Sequence, residues 1–149
     1  DPDLGKSLEY AKASGLDYEF LIDDAEPPHP NTAKIVVDSS SGKRMEVVGC
    51  SIGGGNIRVI KINGMDVEFT GEYPTLVIRY IDRPGVIAEV TSLMGQFNIN
   101  IAFMRVFRQS KGQDAFMIIE TDNDINKKVI AQVRALNNGI KDVYFIEAL

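Results

Sequence analysis

Between residues 76 and 146 the apolar residues switch repeatedly between a spacing of two and a spacing of 3.6, and that order constrains the fold more than anything else in the chain. Leu76, Ile78 and Tyr80 alternate with Val77, Arg79 and Ile81, which predicts a strand buried on both faces or nearly so. Asp82 and Pro84 then open a helix, Asp as N-cap and Pro in the first turn. Val86, Ile87, Val90, Leu93, Met94 and Phe97 follow at helical spacing. Ile99, Ile101 and Phe103 alternate with Asn100, Ala102 and Met104 in a second strand. Ser110-Lys111-Gly112 turns the chain into a third strand over 114–120. A second helix carries Val129, Ile130, Val133 and Leu136 and ends near Gly139, and a strand over 143–146 closes the set.

The order β-α-β-β-α-β predicts a ferredoxin-like sandwich, four antiparallel strands covered on one face by two helices. The stretch before it is strand-rich. Residues 7–14 read as the tail of a helix closed by Gly15, and 18–22 as a short strand. Pro27, Pro28 and Pro30 around His29 exclude helix and central strand there, so this segment is a stiff, extended loop. Strands follow over 34–37, 44–48, 57–62 and 65–69, the last two joined by Asn63-Gly64, the strongest short hairpin signal. A boundary at 71–74 divides the chain into 1–71, a partial strand-rich α/β domain, and 72–149, giving an α+β class overall. One helical tail and a few strands make a poor two-layer core, and the first residue is Asp1, so the chain reads as a fragment or processed product.

Composition narrows the function. The 149 residues carry a net charge of -5 with no cluster of Lys and Arg, which disfavours a nucleic-acid partner. No apolar run is long enough to span a membrane and no signal peptide opens the chain. One cysteine, Cys50, and one histidine, His29, exclude a disulfide framework and a Cys/His metal cage built by this chain alone, and predict no metal site. A lone cysteine fits a reducing cytoplasm.

The fold alone leaves several functions open. An RNA-recognition module needs stacked aromatics in a basic groove, whereas the third strand here is DAFMIIET, with one aromatic and acidic ends. A phosphate loop after the first strand is opposed by the carboxylate of Asp82 in Asp-Arg-Pro-Gly. The segment YIDRPGVIAEVTSLMGQFNINIAFM resembles the signature of ACT domains, amino-acid-sensing modules of this fold. The resemblance implies a site formed by the strand-to-helix loop and the Asn of the second strand, often across a dimer interface. By that match the ligand-binding residues are Tyr80, Asp82, Gly85, Val86 and Asn100. Helix N-terminal N–H groups would receive a carboxylate, Asp82 an ammonium, and Asn100 can donate and accept. The serine-binding form of the family carries His at the position of Tyr80 and Asn at that of Asp82, so the amino acid sensed stays open. Free sheet edges in an ACT unit predict a homodimer.

The motifs HPNTAKI and GCSIGGGNIRVIKINGM, directly ahead of such a domain, resemble the β subunit of bacterial iron–sulfur-dependent L-serine dehydratases. The resemblance implies a [4Fe-4S] cluster ligated by a separate α subunit, and a β chain with an allosteric-substrate-binding-like domain (here its C-terminal part, 1–71) and an ACT domain (72–149). It implies a lyase reaction from L-serine to pyruvate and ammonia, with iron acting on the departing hydroxyl. The family's N-terminal Ser-Ser-Ser-His-Thr motif does not occur here, so the chain reads as a β subunit lacking its N-terminal portion; it supplies neither the iron ligands nor an evident base and alone is expected to be inactive. His29, Asn31 and Thr32 are the expected contributors to a shared active site. Ser51, Gly53, Gly54, Gly55 and Asn56 form a candidate carboxylate site through successive backbone N–H groups, against the simpler reading of a tight turn. The expected effector is L-serine. The SIGGG element also resembles the regulatory region of some phosphoglycerate dehydrogenases, which is the alternative, with a stand-alone amino-acid-binding module as a third reading.

Overall fold

The computed structural model describes residues 4–22, 26–27, 29–136 and 139–149. Short hairpins build the first sheet. Strands β1 (Thr32–Asp38), β2 (Arg44–Gly53), β3 (Asn56–Ile62) and β4 (Met65–Phe69) pair antiparallel in chain order. The Asn63-Gly64 hairpin forms as its sequence requires, and the Asn63 side chain also accepts the Glu46 N–H at 2.9 Å, fixing the turn to β2. Ahead of the sheet, a 3₁₀ turn (Leu4–Lys6) leads into α1 (Ser7–Ala13), which buries no residue.

The predicted strand over 18–22 does not form. Among the described residues no neighbouring strand offers it a ladder, and Phe20, Leu21 and Ile22 are among the most exposed apolar residues. The proline loop falls partly outside the described residues.

The second sheet comprises β5 (Thr75–Ile81), β6 (Ile101–Arg108), β7 (Asp114–Thr121) and β8 (Ile140–Ile146), in the order β6-β7-β5-β8. Helices α2 (Val86–Gln96) and α3 (Lys127–Ala135) cover one face. This is the predicted βαββαβ sandwich, and the α+β class holds. Asn126 caps α3 by accepting the Val129 N–H at 3.0 Å. The helix ends at Ala135 with Leu136 already extended, earlier than the expected end near Gly139.

β5 is buried on both faces because the two faces have different partners. Leu76, Ile78 and Tyr80 join Ala115, Met117 and Ile119 of β7 against Val86, Val90 and Met94 of α2 and Val129 and Val133 of α3. On the opposite face, Val77, Phe116 and Ile118 pack on Ile62, Met65, Val67 and Phe69 of the first sheet. Each such side chain withdrawn from water contributes about 1.5–3 kcal/mol before chain entropy is counted. The two sheets therefore share a core that neither has alone.

One buried charge sits at that joint. Glu120 is 4% exposed, and the Arg105 guanidinium donates both to its Oε2 and to the Glu68 backbone carbonyl of β4, each at 3.2 Å. Burial raises the Glu120 pKa, partly offset by Arg105. A carboxyl raised in the folded state is most favourable when protonated, so its contribution is lost as pH rises through the folded pKa. In its ionised form Glu120 depends on Arg105. Arg105→Ala is expected to lower stability by about 1–3 kcal/mol at neutral pH. Glu120→Gln is expected to stay within about 1 kcal/mol of the parent, because it removes the desolvated charge. Denaturant unfolding of both variants checks this, and equal losses would contradict it.

Candidate functional site

Two clusters of candidate residues lie on different sheets. The first is the loop from β5 to α2. Helix α2 begins at Val86, with Gly85 at the N-cap at φ +94°, a left-handed conformation that a side chain would strain. Asp82 is not the N-cap, contrary to the sequence expectation. Its backbone N–H extends the β5–β7 ladder by bonding Gln113 C=O at 2.8 Å. Its carboxylate Oδ2 accepts from Arg108 Nη1 at 2.9 Å and from the Gly112 N–H at 3.4 Å. The Arg108 hydrogen bond is the main reason the Asp82 pKa falls below the usual carboxylate value. An incoming ammonium would share this carboxylate with Arg108.

Tyr80 is 1% exposed in the helix-side core, and its hydroxyl has no hydrogen-bond partner among the described residues. Burial raises its pKa, with a further push from Asp82. Val86 is fully buried in the same core, so only its backbone is placed to meet a ligand.

Asn100 lies at the other end of the sheet. It precedes β6, is exposed, and donates through Nδ2 to Asp122 Oδ2 at 2.6 Å. Ile81 pairs with Asp114, next to Asp82, whereas Thr75 pairs with Glu120, near Asp122. Six strand residues therefore separate the two ends, about 20 Å at 3.3 Å per residue. A single chain does not bring Asp82 and Gly85 together with Asn100 around one small ligand.

The second cluster is at one end of the first sheet. Pro30 sits in the turn from His29 to Thr32, where its fixed φ favours the second position. The Thr32 hydroxyl donates to His29 C=O at 2.6 Å, and the Asn31 N–H donates to His29 Nδ1 at 3.3 Å. With Nδ1 accepting, the neutral imidazole carries its proton on Nε2 and can donate there. Ser51 N–H donates to Asn31 C=O at 2.9 Å, and Thr32 pairs with Cys50. The HPNT turn and the end of β2 are thus laced side by side.

Beyond Ser51, Gly53 pairs with Asn56, leaving Gly54 and Gly55 as a two-residue hairpin turn with φ of +65° and +83°. Positive φ at both positions is the type I′ geometry and accounts for the glycines as a turn. Sequence reasoning treated the HPNT and SIGGG motifs as separate candidates, and the β1–β2 register joins them. It also missed Arg108 and Asp122, the partners of Asp82 and Asn100, whose signal was only an unpaired charge at a strand end.

Arg79 is the charged residue within the apolar run of β5. It bonds Asp114 through Nη2 at 2.5 Å and Asp142 through Nη1 at 3.4 Å, while Lys141 also bonds Asp114. A half-buried arginine in a strand covered on both faces requires such partners.

Arg108→Ala is expected to raise the titration midpoint of Asp82 toward the ordinary carboxylate value. The depressed pKa makes the Asp82 contribution present above its unfolded pKa and lost as pH falls through the folded one, so the variant loses it at higher pH. Carboxyl-carbon NMR titration reads this directly, and an unchanged midpoint would contradict the assignment.

Residues 75–138 match the ACT domain family. The chain is 37% identical over 141 residues to the probable L-serine dehydratase β chain of Bacillus subtilis, covering 95% of this chain and 64% of that one. It is 33% identical over 130 residues to the L-serine dehydratase β chain of Peptoniphilus asaccharolyticus, covering 87% and 59% respectively. A D-3-phosphoglycerate dehydrogenase of Methanocaldococcus jannaschii is 33% identical over 82% of this chain, but only 23% of that enzyme is covered. The chain spans about three fifths of the length of the dehydratase β chains it matches. Residues 75–138 are an ACT domain, and the chain as a whole resembles the β chains of L-serine dehydratases.

Proposed function

We propose that this chain is the regulatory and structural β-chain portion of an L-serine dehydratase, a lyase converting L-serine to pyruvate and ammonia. The observation that carries the reading is the laced end of the first sheet, where His29, Asn31 and Thr32 sit beside the Ser51–Asn56 hairpin, in a chain whose likeness to dehydratase β chains runs through both motifs. On this reading that end meets the catalytic chain. His29 Nε2–H and the exposed N–H groups of the hairpin are donors suited to a carboxylate at the shared boundary.

The reaction is loss of the α-proton and the β-hydroxyl as water, giving aminoacrylate, which hydrolyses to pyruvate and ammonia. The residues of this chain do not fit a [4Fe-4S] cluster. Cys50 is its one cysteine and is buried in β2, and no group of three or more His, Cys, Asp or Glu among the described residues is arranged to hold a metal. The cluster is assigned to a separate α chain, and the proposed setting is cytoplasmic. Among the described residues no helix is long and apolar enough to cross a membrane.

The ACT domain is proposed to bind an amino-acid effector, L-serine, between two copies of the chain. The separation of Asp82 and Gly85 from Asn100 supports this, because a second copy can bring one end of its sheet to the other end of its neighbour. The similarity to phosphoglycerate dehydrogenases is then that of a shared regulatory module, since it covers a minor part of those enzymes.

The test combines this chain with its iron–sulfur partner and follows pyruvate from L-serine. His29→Ala is expected to lower turnover at least about tenfold, about 1.4 kcal/mol in the barrier, with unchanged thermal stability. Full activity in His29→Ala would overturn the assignment of that end. Calorimetric titration of the chain with L-serine, with D-serine and glycine as controls, tests the effector. Stereoselective binding lost in Asn100→Ala and kept in Asn56→Ala supports the ACT site, and the reverse pattern moves the effector to the glycine hairpin.

A further inference from the structure

We propose that the outer edge of β1, unpaired among the described residues, pairs antiparallel with β1 of a second copy about a two-fold axis at Val36, joining two first sheets into one of eight strands. β1 lies at the edge of its sheet, paired only with β2 among the described residues. Its register with β2 is regular from Thr32 to Asp38, without a bulge to twist it away. Ile35, Val36 and Val37 are 59%, 39% and 50% exposed. An unbroken, apolar edge that no other strand among the described residues covers is the template to which another strand adds.

Backbone parity selects the register. Ser51 N–H bonds Asn31 C=O and Ser39 N–H bonds Lys43 C=O, one step beyond each end of the β1–β2 ladder. The hydrogen-bonded pairs with β2 therefore fall on odd-numbered β1 residues, and Lys34, Val36 and Asp38 direct N–H and C=O outward. A two-fold at Val36 sets these outward residues opposite one another: Val36 against Val36, and Lys34 against Asp38 in both directions. That arrangement makes about six intermolecular backbone hydrogen bonds.

The side chains agree with the backbone. Lys34 opposite Asp38 places unlike charges across the new ladder, the favourable cross-strand arrangement. Their present partners, Glu46 at 3.6 Å and Arg44 at 3.1 Å, are on the same chain and largely solvent-facing, so the pairs extend into a network. On the other face, Ile35 stands opposite Val47, which stands opposite Ile62 of the inter-sheet core. The pairing sets Ile35 against Val37 of the other copy and extends that apolar face where the ACT sheet leaves it exposed. A seven-residue edge buries less than a standard interface, so the association belongs to the transient class.

This contact is separate from the ACT sheet and independent of the effector site. Residue-resolved amide exchange on the purified chain at micromolar and millimolar concentration tests it. The Val36 N–H is expected to exchange at least about tenfold more slowly at high concentration. The N–H groups of Ile35 and Val37 face β2, stay protected at both, and report that β1 remains in its sheet. Lys34→Asp or Asp38→Lys alone places like charges opposite each other and is expected to abolish the protection at Val36. Mixing the two variants sets two carboxylates on one chain against two ammonium groups on the other and is expected to restore it. Concentration-independent exchange at Val36, protection that survives in the single variants, or no recovery on mixing would overturn the proposal.

Discussion

The apolar contact between the two sheets holds the rest of the molecule in place. Among the described residues no helix covers the first sheet, and α1 buries nothing, so β3 and β4 find their core only on Val77, Phe116 and Ile118 of the second sheet. The second sheet in turn has helices on one face only, and its central strands β5 and β7 are apolar on both. Each sheet supplies what the other lacks. Because hydrophobic burial is nondirectional, orientation is left to polar contacts at the rim. Arg105 reaches from β6 to Glu120 and the Glu68 carbonyl, and Lys43 in the β1–β2 turn lies 3.9 Å from Asp142.

Back-to-back packing decides which surfaces remain for function. It covers the sheet face that a lone ACT unit leaves open, so assembly of the second sheet is confined to its edges, β6 and β8, and its helices. It also leaves the HPNT turn and the glycine hairpin free at one end of the first sheet, away from the β5–α2 loop. On the proposed reading, a site for catalysis shared with another chain and a site for an effector then occupy separate elements of one unit. A coupling between them would run through the inter-sheet core, which among the described residues joins the two sheets.

Much of this was legible in the sequence, and the failures have physical causes. The periodicity between residues 76 and 146 revealed the second half because each element there has a strong apolar face and a partner close in the chain. The two-sided apolar pattern of β5 even carried the information that its far face is covered, though not by what. Residues 18–22 have strand composition, yet a strand exists only with a neighbour to bond, and composition does not report neighbours. Asp82 has the chemistry of an N-cap, but its N–H still belongs to the β5–β7 ladder and its carboxylate bonds Arg108, twenty-six residues away, while α2 starts only at Val86 with Gly85 at the cap. The HPNT and SIGGG motifs are adjacent only because β1 and β2 pair in one register, which single motifs do not encode.

On the proposed reading, the laced end of the first sheet is the surface presented to a separate iron–sulfur chain. Amide exchange on this chain, alone and saturated with that partner, tests it most directly. Slowed exchange is expected at residues 29–32 together with 51–56, with little change along β6 and β8. Slowed exchange confined to the ACT sheet edges, with the HPNT turn and glycine hairpin unaffected, would contradict it.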